Sequence, residues 1–148
     1  MPDTQYCPIS PADQAHMDRQ RDWVRGHYNP ESQSKYDTTA GKARILGAIL
    51  SNKWIEPHET WKLQSLGVTL GDILAADHEL EWTMGSDEDG TAPALRQPGP
   101  SLVLFPVMMI SKRIERGEDI DIHQLLRQIK SGIDDARQQI RADGQRPN

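Results

Sequence analysis

Apolar residues along the chain fall into blocks whose period switches between helix and strand. From near His58 to about His78, Leu63, Leu66, Leu70, Ile73 and Leu74 recur at three and four residues, which predicts a helix with an apolar face. A block starting near Thr38 or Thr39 repeats the pattern. There Ala43, Leu46 and Leu50 form a stripe, Ile45 and Ile49 widen it, Trp54 extends it by a turn, and Pro57 stops it. Further upstream, Ser10-Pro11-Ala12-Asp13 has the chemistry of a capped helix start, and Gly26 can close the helix after about Arg25. Its apolar residues are few (Met17, Trp23, Val24), so this helix is expected on the domain surface. Asn29–Lys35 is polar, contains Pro30 and reads as a loop.

After His78 the period drops to two. Leu80, Trp82 and Met84 alternate with Glu81 and Thr83, which predicts a strand over Glu79–Gly85 with Glu79 and Glu81 on one face. Asp87-Glu88-Asp89-Gly90 supplies a turn, Ala92–Arg96 a returning strand, and Gln97-Pro98-Gly99-Pro100 a second turn. Ser101–Phe105 is apolar from Leu102 onward and reads as a central strand. Pro106 opens a helix that turns Val107, Ile110 and Ile114 inward and Lys112, Arg113 and Arg116 outward, and Gly117 ends it. Asp121 with Gln124, flanked by Ile120 and Leu125, specifies the start of a last helix. That helix carries Leu125, Leu126, Ile129, Ile133, Ala136 and Ile140 in register.

The pattern amounts to an α+β domain: a short three-stranded antiparallel meander packed against helices that precede and follow it. Residues 1–148 read as a single domain, with 1–37 a peripheral helix and loop, 38–142 the core and 143–148 a frayed tail. Gly67 and Gly71 lie four apart inside the predicted helix. Each costs about 1 kcal/mol relative to alanine, so close approach of another element is expected there.

Composition narrows the class. The chain has 148 residues, 36% hydrophobic and 26% charged, enough for one core. The longest apolar run, Leu102–Ile110, is broken by Pro106 and falls far short of the roughly 18 residues of a membrane span. MPDTQYCPIS lacks the basic-then-apolar order of a signal peptide. Cys7 is the lone cysteine, which rules out an internal disulfide or a cysteine-based metal cluster. A cytoplasmic protein is expected.

Charge changes the picture more. The net charge is −5, and Gly71–Thr91 holds Asp72, Asp77, Glu79, Glu81, Asp87, Glu88 and Asp89 with no lysine or arginine. Such a field repels phosphate and attracts cationic surfaces, which disfavours direct nucleic-acid binding. The plain reading is a solvated face; the alternative is a docking patch for a basic partner.

Candidate chemistry is sparse. No two of His16, His27, His58, His78 and His123 lie three or four apart, so no helix presents a histidine pair to a metal. Asp87-Glu88-Asp89-Gly90 does not fit a calcium loop, because Gly85 and Arg96 fall where ligands are required. No Gly-x-Ser-x-Gly elbow, phosphate loop or dinucleotide fingerprint occurs. No metal, cofactor or catalytic residue is assigned. Trp54 and Trp82 fall on apolar stripes and are expected in the core, whereas Trp61 and Trp23 are expected to be partly buried, with an interface anchor as the alternative.

One resemblance stands beside these readings. Leu66-Gly67-Val68-x-Leu70-Gly71, Leu80-Glu81-Trp82, Ala94-Leu95-Arg96, Ser101-Leu102-Val103-Leu104-Phe105-Pro106 and Met109-Ile110-Ser111-Lys112-Arg113-Ile114-Glu115-x-Gly117-Glu118 follow in order. The span Leu66–Leu126 resembles a bacterial family known only as a domain of unknown function. The resemblance implies an α+β domain and brings no catalytic residue or ligand.

The expected function is a non-enzymatic binding protein. Its specific form is a cytoplasmic immunity protein that occludes the basic active site of a bacterial toxin. Glu79, Glu81, Asp87, Glu88 and Asp89 would be the contacting acids and Trp61 an apolar anchor. The alternatives are a small enzyme using carboxylates and His78 in a cleft beside the sheet, and a self-associating interaction module.

Overall fold

The computed structural model describes residues 5–88, 90–97 and 102–145. Five helices and four strands occur there: β1 (Gln5–Cys7), α1 (Pro11–Arg25), α2 (Thr39–Ser51), α3 (Thr60–His78), β2 (Glu81–Asp87), β3 (Gly90–Arg96), β4 (Val103–Leu104), α4 (Val107–Glu115) and α5 (Ile122–Gln145). Pro30–Asp37, which takes in most of the Asn29–Lys35 stretch expected as a loop, winds into a 3-10 helix. The class is α+β, as the alternating periods predict. The antiparallel sheet has the order β1-β2-β3-β4, so the meander gains a fourth strand from the N-terminus. Three residues, Gln5 to Cys7, pair with Ser86, Gly85 and Met84. They are too few to show a period in the sequence.

α3 is the centre of the molecule. Every residue from Ser65 to Gly71 is buried, so the helix is enclosed rather than one-faced. The polar groups this buries are satisfied. Ser65 donates to the Trp61 carbonyl at 2.8 Å, and Thr69 shares a 2.8 Å hydrogen bond with the Tyr36 hydroxyl. The two glycines are where neighbours come closest. A Cβ on Gly67 would stand 2.2 Å from the Val107 carbonyl oxygen at the start of α4, and one on Gly71 2.3 Å from the Trp82 ring. The close approach expected from their spacing is present at both.

α1 lies across α3 with Met17 and Val24 buried. Arg21 grips Asp72 through two hydrogen bonds, Nε to Oδ2 at 2.7 Å and Nη2 to Oδ1 at 2.9 Å. Trp82 Nε1 donates to the same Asp72 oxygen at 2.9 Å. One carboxylate thus joins α1, α3 and β2. The caps read from the sequence form: Ser10 Oγ accepts from the Asp13 amide at 3.1 Å, and Asp121 Oδ1 from the His123 and Gln124 amides at 3.0 and 3.2 Å.

Several local expectations are corrected. The first long strand starts at Glu81, not Glu79, because α3 ends with Glu79 in the left-handed region (φ 55). Glu79 and Glu81 therefore do not share a strand face. Among the described residues Val103–Leu104 is an edge strand, not a central one, and pairs with Leu95 and Arg96. Ser101 lies outside the described residues. Pro93 sits inside β3 opposite Met84, on a stretch that β4 does not reach. Trp54 is not core: α2 stops at Ser51, Lys53 turns left-handed (φ 52), and the indole is 53% exposed. Trp82 is half-buried. α5 continues through Gly144.

Candidate functional site

The acids singled out in the sequence lie at the two ends of β2. Glu79 and Glu81 lie where α3 hands over to the sheet, and Asp87 and Glu88 at the hairpin tip; all four are exposed. Six residues of strand separate Glu81 from Asp87, about 20 Å. Asp89 lies outside the described residues. Asp72, counted with them in the sequence, points inward to Arg21 and Trp82.

At the α3 end the acids edge an open cleft of about 850 Å³, lined also by His78, Gln97, Arg137 and Arg141. Arg137 reaches across from α5. Its Nη2 donates to the His78 carbonyl, one of the orphan acceptors at the end of α3, and its Nε to Gln97 Oε1 at 2.7 Å. Burial holds the His78 imidazole below its ordinary pKa, and Arg137 and Lys130 add to that against Asp77 and Asp134. The structure brings His78, Glu79 and Glu81 to one cleft, with two guanidinium groups opposite. Among the described residues no group of three or more histidine, cysteine, aspartate or glutamate side chains is placed to hold a metal ion.

Trp61 stands elsewhere. It opens α3, eighteen residues before Glu79, about 27 Å along the helix axis. It is 39% exposed and belongs to an aromatic row. Trp61 meets Trp23 edge-on at 6.1 Å and His16 at 6.5 Å, Trp23 meets His27 at 4.5 Å, and His27 stacks on Trp54 at 6.0 Å. Lys62 lies over the Trp23 ring at 5.9 Å. This face was not read from the sequence. One local signal existed, Trp23 and His27 four apart on α1, but Trp54 and Trp61 join it only through the folding of the link between α2 and α3.

A family model described as Domain of unknown function (DUF3806) matches residues 42–125, more than half of the chain. The chain belongs to the DUF3806 family. The DUF3806 span contains α3, the β2–β3 hairpin and α4, hence Glu79, Glu81, Asp87 and Glu88. It leaves out α1, β1 and the two arginines of the cleft, so the Arg21–Asp72 clamp and the Arg137 cap join DUF3806 residues to chain outside the span. No curated protein shows significant similarity. A crystal structure of a protein from Bacteroides thetaiotaomicron superposes with a TM-score of 0.63 at 15% identity, which establishes likeness of fold. The match covers 82% of this chain and 45% of that one, so the chain spans less than half of that protein's length. Among the described residues no helix is long and apolar enough to cross a membrane.

Proposed function

We propose that this DUF3806 protein is a non-enzymatic binding protein. Its specific form is a cytoplasmic immunity protein that neutralises a bacterial toxin by covering a basic active site with an acidic edge made of the carboxylates at the two ends of β2. The observation that carries the reading is two exposed acidic pairs that β2 holds apart, Glu79 and Glu81 at its start and Asp87 and Glu88 at its end. Their span of roughly 20 Å suits one side of a standard protein–protein interface. Glu79 adds support: its left-handed backbone would suit glycine, yet the chain keeps a carboxylate there at a cost of roughly 1 kcal/mol. Trp61 lies too far from these acids to anchor the same contact.

The test is capture of a partner from the host, followed by co-expression of the identified partner with this protein. A basic partner is expected, with growth restored by the wild type. Combined Glu79→Lys, Glu81→Lys and Asp87→Lys should abolish capture and protection while leaving the thermal transition within a few degrees. Capture that survives the triple reversal rejects the acidic edge as the contact.

A second reading has one observation in its favour. His78, Glu79 and Glu81 meet in a cleft that also holds Arg137 and Arg141. A small enzyme would use a carboxylate as base there and the guanidinium groups to bind an anionic substrate. Glu79→Gln and Glu81→Gln would then end turnover, whereas a binding edge would lose affinity in proportion to the charge removed.

A further inference from the structure

A second surface carries an inference that rests on the binding reading but uses different residues. Where α2 ends, Lys53 turns the chain left-handed and the link to α3 swings away. Opposite it, Gly117 (φ 80) begins the link from α4 to α5. Between the two links runs a groove of about 860 Å³, within the roughly 300–1,000 Å³ range of pockets that enclose ligands. Its floor is the domain core, including Ile49, Leu63 and Leu66, all fully buried. Its walls are Leu50, Ile55, Ile114 and Ile120, which stay half-exposed.

The rim is acidic. Glu56, Glu118, Asp119 and Asp121 line the groove against one lysine, Lys53, which lies 3.8 Å from Asp119. Arg116 stands 3.5 Å from Glu118. Asp121 is committed to capping α5, so its negative charge is fixed in place. Aliphatic walls under a negative rim match an occupant that is apolar and cationic at once.

We propose that this groove docks a peptide segment of a partner protein in which bulky aliphatic or aromatic side chains alternate with lysine or arginine. The apolar side chains enter between Ile55 and Ile114, and the cations meet Glu56 and Asp119. An acidic segment is repelled by the same rim. The partner offers this segment in addition to whatever surface faces β2.

The test is selection of a random linear peptide library on the intact wild-type chain. The enriched peptides are then synthesised and titrated against wild type, against Glu56→Lys with Asp119→Lys, and against Ile55→Glu. Both acids are exposed, Asp119 with a 3.8 Å contact to Lys53, and unchanged thermal transitions check that the variants keep the fold. Enriched sequences should pair lysine or arginine with leucine, isoleucine or phenylalanine. Their Kd should weaken about tenfold or more in each variant, as expected when complementary charge or the apolar wall is lost. Amide shifts on binding should map to residues 49–56 and 114–121. Absence of enrichment, enrichment of sequences without basic residues, or an unchanged Kd in the variants overturns the groove. Peptides that bind all three proteins alike, yet are lost when Glu79, Glu81 and Asp87 are reversed, overturn the groove while leaving the acidic edge standing. Partner capture that survives that triple reversal, with groove peptides still bound, rejects the acidic edge while leaving the groove standing.

Discussion

Glu79 holds two properties that substitution can separate. Its backbone occupies the left-handed region at the end of α3, where a side chain costs stability and glycine does not. Glu79→Gly should therefore raise stability by about 0.5–1 kcal/mol, read as a shifted urea midpoint, while weakening a partner that reads the acidic edge. Tyr36 supplies a pH test. Burial pushes its phenol up to about 12; the Thr69 hydrogen bond, Arg21 and Arg25 act against this and Asp72 acts with it. An unfolded tyrosine ionises near pH 10, so the unfolded chain loses this proton first as pH rises. Stability should hold below about pH 10 and fall by about 2–3 kcal/mol by about pH 12. Burial also raises Tyr28, so the difference between wild type and Tyr36→Phe isolates the residue: the variant should lose less over that window. At neutral pH the same variant should cost about 1 kcal/mol, because Thr69 Oγ1 loses its buried partner. Residue identity was legible from sequence where chemistry is local, as with the Ser10 and Asp121 caps. It was illegible where burial decides: Trp54 fits the α2 stripe, yet the helix ends before reaching it.

Elements meet where side chains are missing. Gly67 lets the α4 backbone approach α3, and an added Cβ would lie 2.2 Å from the Val107 carbonyl oxygen, a backbone atom that cannot step aside alone. Gly67→Ala should cost about 1–3 kcal/mol despite the better helix propensity of alanine. Gly132→Ala is the control. It lies in α5 with nothing within 4 Å of the added Cβ, so it should stabilise by about 0.5–1 kcal/mol. Opposite signs in thermal melts of the two variants would confirm that packing, not propensity, keeps glycine in α3. The glycine spacing made this approach legible in the sequence, but not which elements approach. The strand boundaries failed for a related reason. Leu80, Trp82 and Met84 do alternate, but the period alone cannot say that α3 needs a left-handed residue, Glu79, before the strand begins. β1 was invisible because its pairing comes from a partner almost eighty residues away.

At the scale of the molecule, the family span and the folding unit do not coincide. Residues 42–125 carry the family pattern, yet α3 within them is enclosed partly by α1, which precedes the span. Removing residues 1–29 would uncover the α3 surface under Met17 and Val24, open the β1 edge of β2, and strand Asp72 without Arg21. A half-buried carboxylate that loses a bidentate partner costs on the order of 3–5 kcal/mol, and the two apolar side chains add about 3 kcal/mol more. Together these approach the roughly 5–15 kcal/mol that separates a typical domain from its unfolded state. A chain starting at Pro30 should therefore lack a cooperative thermal transition by circular dichroism. Asp72→Asn in the full chain should keep one, lowered by several degrees. A truncated chain that melts as sharply as the full one would show that α1 rests on the fold without helping to hold it. The sequence hid this because the apolar residues of α1 are few. Met17 and Val24 bury almost completely, and Arg21 between them supplies by charge what the helix lacks in apolar surface.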